Sequence, residues 1–309
     1  MNPQTMLWIS FFVIVTVMLV LDLRFAQKKE SVLTIKKAAL WSFFWIALAF
    51  VFNALILYWE GHQLALEFFT AYLVEESLSV DNLFVFHLIF NYFSVPRSYQ
   101  HKVLFWGIVG VVVMRGIFIF AGVALIDKFH WMIYIFGAFL IVTGIKMAFQ
   151  RDKEIKPENN PILRLFRRFT PITPTYEGDR FFVKKAGRLW ATPLFMVVLV
   201  VETTDLIFAV DSIPAVLGIS VDRMVVFTSN IFAVLGLRAL FFALSGFLEL
   251  FHYLNYGLSA ILVFVGAKML TEGIYEMPTP LALGVVVGIL TLSIAASIIW
   301  PKKKGEISL

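Results

Sequence analysis

The stretch V-E-T-T-D-L-I-F-A-V-D-S-I-P, from Val201 to Pro214, decides how the rest of the chain is interpreted. It places three carboxylates, those of Glu202, Asp205 and Asp211, inside a long apolar run. On insertion scales a charged residue at the centre of a bilayer costs about 2.5–3.5 kcal/mol, and such residues usually mark functional sites. The stretch therefore predicts a functional site within a membrane-spanning helix.

The composition is that of an integral membrane protein. Of the 309 residues, 60% are hydrophobic and 15% are charged, whereas soluble domains have about 45–50% and about 25%. Cysteine is absent, which excludes disulfides, thiolate metal sites and cysteine nucleophiles. The formal net charge of +5 does not indicate a nucleic-acid partner, because membrane topology explains where the basic residues lie.

Nine apolar segments are long enough to cross a hydrocarbon core of about 30 Å, which takes about 20 helical residues. They lie near residues 6–25, 38–58, 66–90, 103–125, 131–149, 191–216, 224–245, 252–270 and 280–300. Nine crossings place 20 of the 26 Lys and Arg residues on one side, and the positive-inside rule makes that side cytoplasmic. We expect residues 1–309 to form one multi-pass, lipid-embedded domain in a bacterial inner membrane, with the N-terminus outside and the C-terminus in the cytoplasm.

The longest connection, residues 150–190, is predicted to be a cytoplasmic loop between two halves of the membrane domain. Its four prolines argue against one continuous helix. Between two of them, apolar residues alternate with Arg164, Arg167 and Arg168, a pattern typical of a short helix lying on a membrane surface.

Segments 3–5 (residues 66–149) and 6–8 (residues 191–270) match each other. Aligning S-V-D-N at 79–82 with A-V-D-S at 209–212 places Asp81 on Asp211 and Glu75 on Asp205. Three further pairs follow in the same order, with nearly constant spacing: Arg115 with Arg238, His130 with His252, and G-I-K-M at 144–147 with G-A-K-M at 266–269. Because an offset of three helices reverses the direction of crossing, the two copies are predicted to be an inverted repeat. Such repeats in secondary transporters surround a site near the bilayer midplane.

Carboxylates from both copies would line this site: Glu75, Asp81, Glu202, Asp205 and Asp211. Nearby polar and basic groups are candidates for a supporting role: Asn82, Thr203, Thr204, Ser212, Arg115 and Arg238. Hard oxygen ligands suit Mn²⁺, Ca²⁺ and Mg²⁺ better than Zn²⁺ or Cu⁺. The residues therefore predict a divalent metal ion as cargo and no resident cofactor.

Pro214 predicts an irregularity in segment 6. Residues six apart in a regular helix point about 120° apart, so Asp211 would not face the same way as Asp205. Pro214 cannot donate a hydrogen bond to the carbonyl of Val210, so we expect the helix to be broken or bent beside Asp211.

Other roles for the charged residues stay open. Arg115 and Arg238 could be ion-paired with Asp81 and Asp211 in bridges that only fix helix packing. A buried carboxylate without a partner tends to take up a proton, which also suits a proton path coupled to cation movement. An enzyme has little support, because the sequence has no nucleophile with an adjacent base and no histidine pair at metal-ligand spacing.

Three motifs resemble the TerC family of bacterial membrane proteins: E-E-S-L-S-V-D-N-L-F-V-F at 75–86, T-P-L-F at 192–195, and V-E-T-T-D-L-I-F-A-V-D-S-I-P-A at 201–215. The resemblance implies the inverted three-helix repeats of the LysE-like transporter superfamily, with the family's acidic site on the five carboxylates. It also implies export of Mn²⁺, with which Alx-type members are associated.

The same resemblance allows a rival function from another class. The rival is a non-transporting membrane factor of the tellurite-resistance type, which assists the stress response or membrane-protein assembly. Such a role has been suggested for some relatives. Its function would depend on residues 150–190 and would survive neutralisation of the acids. The sequence leaves the coupling ion, the direction of transport and the oligomeric state open.

Overall fold

The structure, a computed structural model, describes residues 3–26, 35–149, 161–185, 187–244 and 253–300. These residues form the helices α1 (Pro3–Ala26), α2 (Ile35–Trp59), α3 (His62–Tyr92), α4 (Arg97–Lys128), α5 (Met132–Phe149), α6 (Pro161–Phe169), α7 (Pro193–Leu217), α8 (Arg223–Leu244), α9 (Leu254–Thr271) and α10 (Thr279–Ile299). The strands β1 (Phe182–Lys185) and β2 (Arg188–Ala191) pair in an antiparallel hairpin between α6 and α7. The predicted all-α, polytopic architecture is confirmed.

Eight helices in the described ranges are long and apolar enough to cross a membrane. The 31-residue α3 is not among them, because every 18-residue stretch of it holds at least three acidic residues. It nevertheless coincides with the third predicted segment, and each of the other eight segments coincides with one of the eight apolar helices. The one long helix rich in carboxylates therefore stands apart in composition from its neighbours.

The long helices surround one centre. There α3 packs on α8 and α7, while α4 packs on α7 and α8. Nearly every residue of α8 is buried, and α2 covers another of its sides. Because backbone groups in lipid must be satisfied internally, these helices carry the polar side chains of the site inward, where other helices can meet them.

Helices α5 and α9 pack with their backbones in close contact. A methyl group built at Gly137 would lie 2.9 Å from the carbonyl oxygen of Gly266, and one built at Gly144 would lie 2.8 Å from that of Ser259. The Ser259 hydroxyl also donates a 2.5 Å hydrogen bond to the Gly144 carbonyl. Small residues at such contacts let helix backbones approach closely in a membrane.

The expected break in the proline-containing helix is absent. Helix α7 runs without interruption from Pro193 to Leu217, and Pro214 lies inside it. Proline removes one donor, to the carbonyl of Val210, but the helix ends only three residues later. This position near the end of the helix limits the disruption, so Asp211 stays on a continuous helix.

Residues 161–191 fold into a small cap at one end of the bundle. Phe166 of α6, together with Phe181 and Phe182, packs on the ring of Phe195 near the start of α7. The Tyr176 hydroxyl donates a 2.7 Å hydrogen bond to the carbonyl of Phe93, just beyond α3. The short helix predicted here is confirmed, whereas the hairpin was not predicted. The remainder of the predicted loop, residues 150–160, lies outside the described residues.

At the opposite end, polar side chains tie together α3, α10 and the turn after α7. The Glu67 carboxylate accepts hydrogen bonds from Gln63, at 2.8 Å, and from Ser220, at 2.6 Å. Gln63 also donates to the Thr279 hydroxyl. Lys268 of α9 donates a 2.8 Å hydrogen bond to the carbonyl of Gly218, which terminates α7. These contacts hold the helix ends together on the side away from the cap.

Candidate functional site

Arg115 of α4 is completely buried where four helices meet. Its Nε and Nη2 atoms donate hydrogen bonds of 3.0 and 3.2 Å to the two carboxylate oxygens of Asp205 in α7. Its Nη1 atom donates to the Glu75 carboxylate in α3 and, at 3.2 Å, to the side-chain oxygen of Asn230 in α8. One guanidinium therefore joins two helices from each predicted repeat.

Both carboxylates of this cluster are removed from solvent, with Glu75 0% and Asp205 1% exposed. Two ionised carboxylates and one guanidinium leave a formal charge of −1, and buried charges are costly unless they are paired. The Oε2 atom of Glu75 is buried and has no hydrogen-bond partner among the described residues, and Ser212 lies near this side chain. The second carboxylate oxygen of Glu75 is therefore available as a ligand.

Glu202 lies one turn before Asp205 on α7 and turns its carboxylate onto Gly110 of α4. A methyl group built at Gly110 would overlap that carboxylate. Glu202 Oε2 is buried and has no hydrogen-bond partner among the described residues. A larger residue at position 110 would therefore require the Glu202 carboxylate to shift from its position beside the cluster.

Glu76 is a second flanking acid, and the sequence points to it only as the neighbour of Glu75. Its carboxylate lies near Tyr72 on its own helix and about 4.0 Å from a methyl group built at Gly236 of α8. Its Oε2 atom is also buried without a hydrogen-bond partner in the described part of the chain. Because helices cover α3 on more than one side, adjacent residues that point about 100° apart both meet protein.

The neutral candidates differ in position. Asn82 and Ser212 are buried, whereas Thr203 and Thr204 are half-buried. The Thr203 hydroxyl donates a 2.5 Å hydrogen bond to the Leu199 carbonyl of its own helix. Ser212 lies near Glu75 of the acidic cluster.

Asp81 and Asp211 do not share the Arg115 cluster, although both are half-buried. Each lies six residues after a cluster acid on an uninterrupted helix, so it points about 120° away from that acid. Within the described residues, no three Asp, Glu or His side chains are grouped so that they could bind one metal ion. The five-carboxylate metal site therefore stays a prediction.

The pairing of Arg115 with Asp81 is wrong. The partners of Arg115 are Glu75, Asp205 and Asn230, because Arg115 lies at the level of the first acid of each motif instead of the second. Of the matched pair of histidines, His130 is exposed at the turn after α4, away from this centre, and His252 lies outside the described residues.

A small pocket reaches Asp205 from the half of the bundle nearer the cap. Arg238 of α8 lines it together with Val201, Phe86 and Leu104. Arg238 is 8% exposed, so the second mid-membrane arginine is also buried. It shares the lining of this pocket with Asp205.

Asn230 is the site residue that sequence reasoning did not single out. It belongs to T-S-N at 228–230, a polar triplet within the mostly apolar α8, and all three residues are completely buried. The rule that selected the acids, that polar groups at membrane depth carry a role, also selects this triplet.

The long apolar helices and the buried charged cluster define a polytopic α-helical membrane protein with a polar centre. The chain belongs to the TerC family, since the family described as "Integral membrane protein TerC family" matches residues 60–305. It is 50% identical to the "Uncharacterized membrane protein STKORF319" of Myxococcus xanthus over 293 residues, which are 95% of this chain and 92% of that protein. It is 46% identical to the "Putative membrane-bound redox modulator Alx" of Escherichia coli K12 over 297 residues, 93% of this chain and 92% of that one. No solved structure matches the chain.

Proposed function

We propose that this protein is a secondary transporter that exports divalent metal cations, with Mn²⁺ as the principal cargo and Ca²⁺ or Mg²⁺ as alternatives. The observation that carries the proposal is the buried cluster in which Arg115 joins Glu75 of one predicted repeat to Asp205 of the other. The positively charged guanidinium of Arg115 lies between these two carboxylates, so the space between them suits a cation.

The chemistry of the side chains supports a hard divalent ion. Glu202 and Glu76 add two more carboxylates beside the cluster, each with a buried oxygen that accepts no hydrogen bond from a described residue. Ser212, which lies near Glu75, adds a neutral oxygen atom. Such ligands suit Mn²⁺, Mg²⁺ and Ca²⁺. Manganese itself comes from the resemblance to the family.

Alternating access is supported by the packing of the predicted repeats. When Gly144 is aligned with Gly266, Gly137 falls on Ser259. The contact of Gly137 with Gly266 and the contact of Gly144 with Ser259 are therefore equivalents of each other under exchange of the two copies. Contacts related in this way are expected when two copies pack in opposite orientations around a shared centre.

The two ends of the bundle support a direction of access. The Glu67 and Lys268 contacts hold the helix ends together on the side away from the cap, whereas a small, mostly apolar void lies on the cap side of Asp205. The cap carries exposed basic residues, including Arg164, Arg167 and Arg168, which favours a cytoplasmic position. We therefore infer an arrangement in which the cluster is approached from the cytoplasm of a bacterial cell, with the N-terminus outside.

Metal uptake by purified protein in vesicles tests the proposal. Mn²⁺, Ca²⁺, Mg²⁺ and a pH gradient are varied one at a time. The acids of the second motif position are tested in the same assay: Asp81→Asn and Asp211→Asn are expected to abolish efflux while the protein stays folded in the membrane. Efflux at the wild-type rate in both variants would remove these two residues from the transport site.

A second candidate, a non-transporting membrane factor in stress response or assembly, is favoured by the folded cap at residues 161–191. A partner protein could bind such a cap. The name of the Escherichia coli relative refers to redox modulation, but this chain has no cysteine to take part in thiol chemistry. The candidate predicts that Glu75→Gln retains full activity in cells, whereas replacement of the cap abolishes it.

A further inference from the structure

We propose that Arg115 is an internal competitor for the transported metal. Its guanidinium takes the place between Glu75 and Asp205 when no metal is bound, and a metal ion must displace it to reach both carboxylates. The inference rests on the proposed function and names the residue that regulates metal binding at the same site.

The geometry of Arg115 suits this role. Two of its nitrogens bind the two oxygens of Asp205, and a third binds Glu75. Asn230 accepts a 3.2 Å hydrogen bond from that third nitrogen and thereby orients the guanidinium. The two carboxylates that a divalent cation would bridge are thus both occupied by a cation attached to the protein.

The charges of the site explain why the metal-free protein needs a cation there. A carrier that alternates between two sides must also return without metal. Two ionised carboxylates without a counter-charge are costly in a buried environment, so the metal-free protein needs a cation at the site. Arg115 supplies it on the carrier itself, because arginine keeps its charge when buried and its planar fork matches a carboxylate.

The cap side of the cluster is where a metal ion would begin to compete. A small, mostly apolar void there has Asp205 but not Glu75 in its lining. A metal ion that approaches from the cap side as the helices open would therefore meet Asp205 first and would replace the two hydrogen bonds from Arg115. Glu202, one turn away, would provide a second carboxylate for the displaced state.

The first experiment measures Mn²⁺ affinity in Arg115→Lys. Lysine keeps the positive charge but cannot make the bidentate contact with Asp205 and the contacts with Glu75 and Asn230 together. A site that is competent to bind for only part of the time has a proportionally lower apparent affinity. Weakening the competitor raises the competent fraction and should therefore lower the dissociation constant for Mn²⁺ on the order of tenfold. Arg223→Lys is the matched control, because Arg223 is an exposed residue bound to Asp127, away from the cluster.

The second readout separates net efflux from exchange in vesicles. Without a counter-cation that fits the site, the metal-free carrier cannot return efficiently. Arg115→Lys should therefore retain exchange of internal for external Mn²⁺ while its net efflux falls at least tenfold. A merely structural role predicts that both activities fall together.

The outcomes are distinguishable. If wild-type protein neither binds nor transports any of the three metals, the proposed function itself fails. If wild type binds Mn²⁺ but folded Arg115→Lys binds it with equal or lower affinity, the competitor role is overturned. Should Arg115→Lys fail to fold, Asn230→Leu, which removes only the acceptor that orients the guanidinium, must show the same tightening to a smaller degree. Unchanged or weaker binding in that variant overturns the inference as well.

Discussion

Arg115 and Asp205 lie 90 residues apart in the chain and meet through two hydrogen bonds, one to each carboxylate oxygen. The pair is almost completely buried. Bidentate contacts between guanidinium and carboxylate are among the strongest hydrogen-bonded pairs in proteins. Because Glu75 and Asn230 bind the same guanidinium, this contact couples the two predicted repeats directly.

Arg115→Met should destabilise the protein strongly. It leaves Glu75 and Asp205 buried without their counter-charge, and breaking a buried ion pair by removing one partner typically costs about 3–5 kcal/mol. Thermal unfolding of purified protein in detergent measures the change. Arg223→Met removes an exposed ion pair, which is worth about 0–1 kcal/mol, and serves as the control. Equal unfolding temperatures for the two variants would contradict the stabilising role of the buried cluster.

Gly110→Ala should impair transport without a change at any charged residue. Its methyl group would overlap the Glu202 carboxylate, so this side chain must leave the position that it has beside the cluster. We expect transport to fall as it does in Glu202→Gln, by about tenfold or more. Gly284→Ala on α10 is the matched control, since a methyl group there meets nothing within 4 Å. Wild-type transport in Gly110→Ala would show that the position of Glu202 does not matter.

Gly137→Ala and Gly144→Ala should both weaken the packing of α5 on α9. Each added methyl group meets a backbone carbonyl at 2.9 Å or closer, and overpacking of this kind typically costs about 1–3 kcal/mol. Gly288→Ala, which meets no neighbour, should be neutral or slightly stabilising because alanine favours helix. The prediction fails if all three variants unfold at the same temperature in one detergent.

The contact between the cap and the bundle should persist into the alkaline range. Burial raises the pKa of the Tyr176 hydroxyl above its ordinary value, so the hydroxyl keeps the proton that it donates to Phe93. The pKa of Tyr176 is higher in the folded protein than in the unfolded chain. The stabilisation is therefore fully present at pH values below the pKa in the unfolded chain, and it is lost as the pH rises through the pKa in the folded protein. The difference in tyrosinate absorbance between wild type and Tyr176→Phe reports the ionisation of Tyr176. This difference should appear at a higher pH than the ionisation of exposed tyrosines. Titration in the ordinary range would contradict the buried contact.

The sequence predicted the helices well because lipid allows few alternatives. A span without water must satisfy its own backbone, so a run of about 20 apolar residues becomes a helix whatever its neighbours do. The acids of α3 and α7 could likewise be recognised as site residues, since charged groups at membrane depth are costly and rarely occur without a functional role.

The partners of the acids could not be predicted in the same way. Whether Arg115 meets Glu75 or Asp81 depends on how far α4 slides along α3, and no periodicity in either helix fixes that offset. Whether Pro214 interrupts the helix depended on its distance from the end of α7, which the sequence does not fix. The hairpin at 182–191 was missed because its strands are only four residues long and lie in a segment whose prolines and arginines indicated only a loop and a surface helix.

Metal transport by Asp205→Asn, measured beside wild type, decides whether the buried cluster is a transport site. Purified proteins are reconstituted into vesicles and Mn²⁺ movement is followed with a trapped metal indicator. We expect saturable Mn²⁺ transport by wild type, and transport at the level of protein-free vesicles by folded Asp205→Asn. Equal Mn²⁺ transport by the two proteins, or no transport above protein-free vesicles by wild type, would contradict the proposed function.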